Sequence, residues 1–448
     1  MQRKVAQQDK LIGIAKHSNP RIFLSAGEAS GDHYGAAIIA DLRVRLMDAT
    51  FVGLGGREMA DAGLQRIVRA EDVAHMGFSE VVRHAPYIYL QYRKLVGEIE
   101  SARPDVAVLI DFPEINFRLA RRLKRLGVPV LWFVSPQLWA WKRGRIRLVQ
   151  RLVDRMMVIF PFEAEFYRAR GVYAEFVGHP LAVLPLPDVS REEYAARHGL
   201  DPAKQWIALL PGSRWSEIES NLSRMMPLVV AAATPDNADF WDLFGKPGRP
   251  SESFLDCEKY EFILPVASTI AIDPLKIEIT KLSASWTKYS RSTSPGLNLH
   301  LVPDAREALF HARASIVASG TATVQALTIG NPFIVVYCVS ALTFALAKRL
   351  IRYPAEIPAE PDAEGNLPIA MVNLIAGRRI VPELLNERFT SANLASALRP
   401  LLDETPARAE YITALAEVRA KLLSPTTEDP IRRVSEAVVE LLQSTATV

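Results

Sequence analysis

The feature that most limits the fold is a unit that recurs along the chain: an apolar run too short for a helix, a turn of small residues, then apolar residues at helical spacing. Residues 207–217, IALLPGSRWSE, show it plainly. The apolar run ends at Pro211 and Gly212, and the polar segment after it opens as a helix. Ser213 can cap that helix directly, or Ser216 and Glu219 can form an S-x-x-E capping box. The unit occurs earlier as RIFLSAGEASGD (residues 21–32), followed by helical spacing from Tyr34 to Met47. It returns as ASIVASGTAT (residues 314–323). At each turn unpaired N–H groups and the positive end of a helix dipole stand at the end of a strand, a place that suits an anion. On local evidence alone an ordinary turn and helix start is the favoured reading over an anion site.

Further strands fall at Asp105–Asp111, Val128–Val134, Met156–Phe160 and Ala174–Val177 in the first half, and at Tyr260–Val266, Leu299–Val302 and Phe333–Tyr337 in the second. Phe51–Gly56 offers another strand end, but Glu58 stands where a dinucleotide fingerprint needs glycine. Strands alternating with helices give a parallel sheet covered on both faces. The chain, 448 residues long, fits two such domains and a tail. The expected fold class is therefore α/β: two doubly wound units, residues 20–185 and 205–400, with C-terminal helices in 401–448. Their strand ends are expected to face a cleft, since ligands in such sheets lie beyond the carboxyl ends of the strands. Pro180–Pro187 reads as a linker and Arg191–Leu200 as a short helix; Thr234–Glu258 reads as a polar surface insertion, and the chain is poorly patterned up to Asn298.

Composition excludes several classes. An apolar fraction of 49%, a charged fraction of 23% and a net charge of +3 describe a globular protein without the basic tracts of a nucleic-acid binder. Cys257 and Cys338 belong to no C-x-x-C pattern, which fits a reducing cytoplasm and no metal. The short apolar run Leu11–Ala15 makes a poor signal peptide, and no long uncharged window suggests a membrane span, so membrane contact is expected to be peripheral. The histidines form no zinc pattern, and the nucleophile-elbow and P-loop motifs are absent.

The chemistry must then come from carboxylates, Arg214 and backbone amides. Asp111 ends a strand, where burial raises a carboxyl toward general-base use; a structural role for it is equally open. Glu28, Asp32 and Glu114 lie at neighbouring strand ends, with the loop Ser135–Trp141 beside them. Residues 76–95, MGFSEVVRHAPYIYLQYRKL, mix aromatic, apolar and basic groups in a way that suits a lipid interface, although core packing explains any single residue equally well. Val339–Arg352 is a second basic amphipathic segment, for which a plain domain helix is the favoured reading.

The chain resembles the lipid-A-disaccharide synthase family, glycosyltransferase family 19, whose fold is the two-Rossmann GT-B type. The resemblance rests on SAGEASGD (25–32), MGFSE (76–80), IDFPE (110–114), SPQLWAW (135–141), FPFE (160–163) and VGHPL (177–181). It continues with LLPGSR (209–214) and Glu217, SGTAT (319–323), Val336, Tyr337, Val339 and Ser340, and Asn373–Leu385, in family order. It implies transfer of a diacylglucosamine unit from UDP-2,3-diacylglucosamine to 2,3-diacylglucosamine 1-phosphate (lipid X), with inversion, giving lipid A disaccharide 1-phosphate and UDP. Asp111 matches the family's candidate base, with Glu28 and Asp32 on the acceptor side. Gly212, Ser213, Arg214, Glu217, Ser319, Gly320, Thr321, Gln325 and Asn373 are implied in donor binding. Met76, Phe78, Val81, Tyr87 and Tyr89 are implied in contact with acyl chains or membrane. The implied partners are the two lipid substrates and the cytoplasmic face of the inner membrane, with room for a homo-oligomer, no nucleic acid and no cofactor.

The chain departs from the family at Glu114 (usually Asp), Val183 (usually Asp), Gln325 (usually Glu) and Val372 (usually Pro). Gln325 stands where a carboxylate commonly holds the nucleotide ribose; an amide still hydrogen-bonds, so weaker rather than lost UDP binding is implied. The alternatives are another UDP-sugar transferase or epimerase, against which the Ser25 block and residues 76–95 speak, and a non-catalytic nucleotide-sugar or lipid-binding relative, motivated by Gln325.

Overall fold

The computed structural model of the chain describes residues 19–74, 78–140, 143–233, 258–267, 269–287, 297–426 and 428–445. The expected insertion, apart from Glu258, lies outside them, as do Met76 and Cys257. The chain divides into two compact units. The first holds residues up to Val183, Arg352–Glu356 and Leu422 onward; the second holds Leu184–Ile351 and Ile357–Lys421.

In the first unit the strands are β1 (Arg21–Ala26), β2 (Thr50–Gly55), β3 (Leu64–Arg69), β4 (Val106–Ile110), β5 (Val130–Phe133), β6 (Arg155–Val158) and β7 (Ala174–Phe176). They form one parallel sheet in the order β3-β2-β1-β4-β5-β6-β7. In the second unit β8 (Gln205–Leu210), β9 (Tyr260–Pro265), β10 (Leu299–Val302), β11 (Ala314–Ala318), β12 (Phe333–Tyr337) and β13 (Glu383–Leu385) form a sheet in the order β10-β9-β8-β11-β12-β13. Both orders reverse direction after the first strand of the unit, between β1 and β4 and between β8 and β11. Those reversals are the switch points at which open α/β sheets hold ligands.

The helices that bear on the site are numbered in chain order. They are α1 (Ala29–Arg45), α2 (Arg57–Asp61), α3 (Phe78–Ser101), α4 (Pro113–Arg125), α5 (Pro161–Arg168), α6 (Trp215–Ala232), α7 (Ile272–Thr287), α8 (Thr321–Ile329), α9 (Ala341–Leu350), α10 (Met371–Ala376), α11 (Pro406–Lys421) and α12 (Pro430–Thr445). The central strands are apolar without alternation because helices cover both of their faces. Every residue of β4 is fully buried, as are Ile22, Phe23 and Leu24 of β1. Burial of each such large side chain stabilises the fold by roughly 1.5–3 kcal/mol.

Several expectations need correction. Pro180–Val183 is a short helix with Pro180, Leu181 and Ala182 buried in the first unit, so the connection begins after it. The C-terminal helices do not stand apart. Helix α11 belongs to the second unit, whereas α12 returns to the first, burying Val434, Ala437 and Val438 and pairing Arg433 with Glu175 through two hydrogen bonds of 2.6 and 2.9 Å. Edge strand β3, whose sequence LQRIVR keeps charges toward solvent, was among the unforeseen elements, as was α7, whose stripe Leu275, Ile279, Leu282 and Trp286 packs on the second core.

Candidate active site

At the switch point of the first unit, β1 and β4 run side by side with Ala26 opposite Ile110, so the residues following them emerge together. Gly27 and Glu28 follow one strand; Asp111 and Phe112 follow the other. Asp111 and Phe112 both take left-handed backbone, φ 43° and 46°, and Val134 after the neighbouring β5 does so at 59°. Non-glycine residues held there cost on the order of 1–3 kcal/mol each and persist only where surroundings over-determine them. The Phe112 ring fills the space above Gly27, where a Cβ would lie 2.3 Å from it, so this turn admits only glycine.

Burial, reinforced by the negative charge of Glu28, pushes the Asp111 carboxyl up to about 7, while the Phe112 N–H draws it back. Buried Tyr34 of α1 lies within electrostatic reach of the same carboxylate. The structure thus brings Glu28 and Asp111 together. Asp32 is used differently: its carboxylate accepts from the N–H groups of Gly56 (2.6 Å), Glu58 (3.0 Å) and Met59 (3.2 Å), capping α2. It is a structural ligand of the turn after β2. Glu114 pairs with Arg145 through contacts of 3.2 and 3.3 Å.

The loop from Ser135 is organised by a carboxylate of α5. Ser135 Oγ (2.7 Å) and Trp139 Nε1 (3.1 Å) donate to Glu163 Oε1, and the Phe160 N–H donates to Oε2 at 3.2 Å. Glu163 is completely buried, which pushes it up to about 7 against those bonds. Burial holds His179 down at about 3, so that imidazole stays neutral and is a feeble base.

Sequence spacing did not single out Asn116 in α4. It is fully buried and lies one turn before Leu119 and Ala120 on the buried face of that helix. Its Nδ2 donates to the carbonyls of Asp111 (2.7 Å), Ile110 (3.2 Å) and Ser25 (3.4 Å), and its Oδ1 accepts from Ser25 Oγ at 2.6 Å. A polar residue at an apolar helical position is the signal that would have found it, because a buried amide must have partners.

In the second unit β8 and β11 are paired, Leu210 opposite Val317, and each runs into a glycine turn. Gly212 (φ 136°) and Gly320 (φ 147°) occupy backbone that side chains rarely adopt. Gly320 precedes α8, whose first-turn amides lack the usual intrahelical carbonyl partners, although the Thr323 N–H is bound to the Gly320 carbonyl at 3.1 Å. The Ser319 N–H is already bound to the Val336 carbonyl at 2.9 Å. Helix α6 starts at Trp215, with neither Ser213 nor the Ser216–Glu219 pair as its cap. Instead Glu217 reaches back, its Oε2 accepting from the Ser213 N–H at 3.2 Å, and Arg214 lies 3.4 Å from Oε1. Tyr337, at the end of β12, feels both Glu217 and Arg214.

Asn373 is buried and committed to the chain. It accepts from the N–H groups of Ile380 (2.7 Å) and Val381 (2.9 Å) and donates to the Val381 carbonyl (3.0 Å) and to Glu383 (2.9 Å). Glu383 also receives the Ala370 N–H at 2.8 Å and the Arg379 guanidinium at 2.9 Å. The Asn373 side chain therefore shapes the start of α10 rather than offering its amide outward. Gln325 is half-buried on α8.

Helix α3 buries Gln91, Leu95 and Ile99 at four-residue spacing, leaving Tyr87 (40% exposed), Tyr89 (54%) and Leu90 (59%) on its outer side with Arg93 and Lys94. Phe78 and Val81 are on the same helix. No helix of the described residues is long and apolar enough to cross a membrane, and no three His, Cys, Asp or Glu groups among them converge to hold a metal.

Comparison with known proteins matches residues 22–236 and 278–427 to the family model described as lipid-A-disaccharide synthetase. The chain is 50% identical over 432 residues to the lipid-A-disaccharide synthase of Acidobacterium capsulatum, covering 96% of this chain and 98% of the relative. It is 42% identical to that of Koribacter versatilis, covering 94% and 99%. Among solved structures it is similar in fold to the glycotransferase of kitacinnamycin (TM-score 0.54, 14% identity, 95% and 99% covered). The UDP-GlcNAc 2-epimerase from Neisseria meningitidis bound to UDP-GlcNAc is similar at TM-score 0.52 and 11% identity, with 95% and 100% covered.

Proposed function

The chain belongs to the lipid-A-disaccharide synthase family and is a glycosyltransferase of lipid A biosynthesis, and from that premise we propose how its residues divide the reaction. The acceptor is lipid X and the donor UDP-2,3-diacylglucosamine. Asp111 removes the proton of the acceptor's 6-hydroxyl. The oxygen attacks the anomeric carbon from the side opposite UDP, a C–O bond forms, the bond to the diphosphate breaks, and its electron pair leaves with UDP. The observation that carries this reading is the placement of Asp111 at the switch point, shielded and beside Glu28, so that it titrates near neutral pH.

Glu28 tunes that base, and Asp32 supports the turn beside it. On the donor side, Arg214 and the amides around Gly212, Ser213, Gly320 and Thr321 receive the diphosphate charge that grows as the bond breaks. Glu217 yields the Ser213 N–H to a bound diphosphate. Gln325 hydrogen-bonds the ribose, and Asn373 acts by shaping the backbone near α10. The outer side of α3, with Tyr87, Tyr89, Leu90, Arg93 and Lys94, rests on an anionic lipid surface of the inner membrane's cytoplasmic face.

Purified protein given UDP-2,3-diacylglucosamine and lipid X is expected to release UDP and disaccharide 1-phosphate in equal amounts. Binding of the donor without turnover would remove the transferase reading in favour of a binding protein. Flotation with vesicles containing anionic phospholipid is expected to carry the wild type and to lose the double variant Tyr89→Ser/Leu90→Ser by several-fold; equal flotation excludes α3 as the contact.

A further inference from the structure

The backbone at the end of β4 is held where its own residues disfavour it, and a single buried side chain grips that backbone from below. We propose that Asn116 is a positioning residue for Asp111, its amide oriented by Ser25, and that it acts by fixing the left-handed turn that aims the carboxylate. The inference rests on the reading of Asp111 as the base.

Two consecutive non-glycine residues with φ of 43° and 46° do not stay there unaided. Asn116 Nδ2 donates to the Asp111 carbonyl at 2.7 Å and to the Ile110 carbonyl at 3.2 Å, so it holds the peptide units on both sides of the Asp111 Cα. The same nitrogen lies 3.4 Å from the Ser25 carbonyl, which ties the end of β4 to the end of β1, the strand that leads to Glu28. The amide cannot be turned round. Ser25 Oγ donates to Oδ1 at 2.6 Å, and all three backbone partners are acceptors that need the NH2 group. Asn116 is fully buried, so its effect reaches the substrate through Asp111.

Without this grip the turn relaxes toward ordinary backbone, and the carboxylate leaves the pocket formed by the Phe112 N–H, Glu28 and Tyr34. Binding of either substrate draws on other groups, so the loss falls on kcat. The raised carboxyl also moves toward its ordinary range, because its elevation comes from shielding first and from Glu28 second.

The test compares Asn116→Ala, Asn116→Asp and Ser25→Ala in the full chain, with melting curves alongside. Asn116→Ala is expected to lower kcat by about 10–100-fold with both KM values within about 3-fold, and to move the acid limb of the kcat–pH profile downward. Asn116→Asp, which sets a carboxylate against three carbonyl oxygens, is expected to be at least as impaired. Ser25→Ala is expected to show the same pattern at about 3–10-fold, and decides the matter if the Asn116 variants do not fold. In an Asp111→Asn background, Asn116→Ala should cost less than about 2-fold more, because the group it aims is gone. Wild-type kcat in a folded Asn116 variant, a loss confined to KM, or fully additive losses in the double variant would overturn the proposal. Full activity of Asp111→Asn alone would instead remove the base reading, an outcome the Asn116 kinetics do not mimic.

Discussion

The two switch points occupy the same place in two sheets that share their strand order over six strands, yet they are built from opposite chemistry. Where β1 and β4 end, the chain places Glu28 and Asp111, and forces non-glycine residues into left-handed backbone to do so. Where β8 and β11 end, it places Gly212 and Gly320, with helix-start amides and Arg214 around them. The sheet dictates where a ligand meets the chain. The residue types at the strand ends then decide whether that place takes up a proton or receives negative charge. One unit spends strain to hold a carboxylate; the other uses glycine to bring backbone close.

The hardest blow to this division is Asp111→Asn, which keeps size and shape but removes the proton acceptor. We expect kcat to fall on the order of 1,000-fold while the UDP dissociation constant, measured by calorimetry, changes less than about 3-fold. A matching loss of UDP affinity would show that the two sites are not chemically separate. In the wild type, kcat should rise with pH through an apparent pKa near 7, because Asp111 accepts a proton only once ionised. A rate that is flat between pH 5.5 and 8 (about one and a half units below and one above that value) contradicts the assignment.

A smaller effect is expected at the other switch point. A Cβ added at Gly320 meets no atom within 4 Å, so Gly320→Ala acts through backbone preference alone at φ 147°. The donor KM should rise by about 10–100-fold while the acceptor KM holds. A rise in acceptor KM instead would reverse the roles given to the two units.

Much of this was legible in the sequence because parallel sheets advertise themselves: continuous apolar runs, then small-residue turns, at both RIFLSAGE and IALLPGSR. The placement of Glu28 beside Asp111 followed from topology once both were read as strand ends. What remained hidden was partner choice. Asp32, Asn373 and Glu217 look outward-facing in sequence, and only the fold shows Asp32 capping α2, Asn373 bracing residues 380–383 and Glu217 reaching back to Ser213. Those bonds join residues through loop geometry that periodicity does not encode. Edge strand β3 was missed because charges interrupt its apolar residues, and α7 because Pro274 and a run of polar residues obscure its stripe. The return of α12 to the first unit rests on long-range pairs such as Arg433 with Glu175, which no local pattern announces.

The smallest expected effect concerns stability, and it sharpens the contrast between buried carboxylates. Glu383 in the second unit meets the Arg379 guanidinium. Glu163 in the first accepts from neutral donors, among them the Ser135 hydroxyl, the Trp139 indole and the backbone amides of Phe160 and Ile159. Burial raises it from an ordinary 4.5 to about 7. Below the unfolded value both states hold the proton and the favourable contribution is complete. As pH rises toward 7 the unfolded chain ionises while the folded one does not, so stability drains away and levels off above about 7. The whole change is at most about 3 kcal/mol. Asp111 adds a change of the same sign, so the wild-type melting temperature alone does not isolate Glu163. The Glu163→Gln variant does: whatever its loss at pH 5 (roughly the level where the folded group is still protonated), that loss should shrink by several degrees at pH 8 (about one unit above the folded value). A melting difference that is the same at both pH values would mean that Glu163 is ionised in the folded protein throughout, and that its hydrogen-bond donors outweigh its burial.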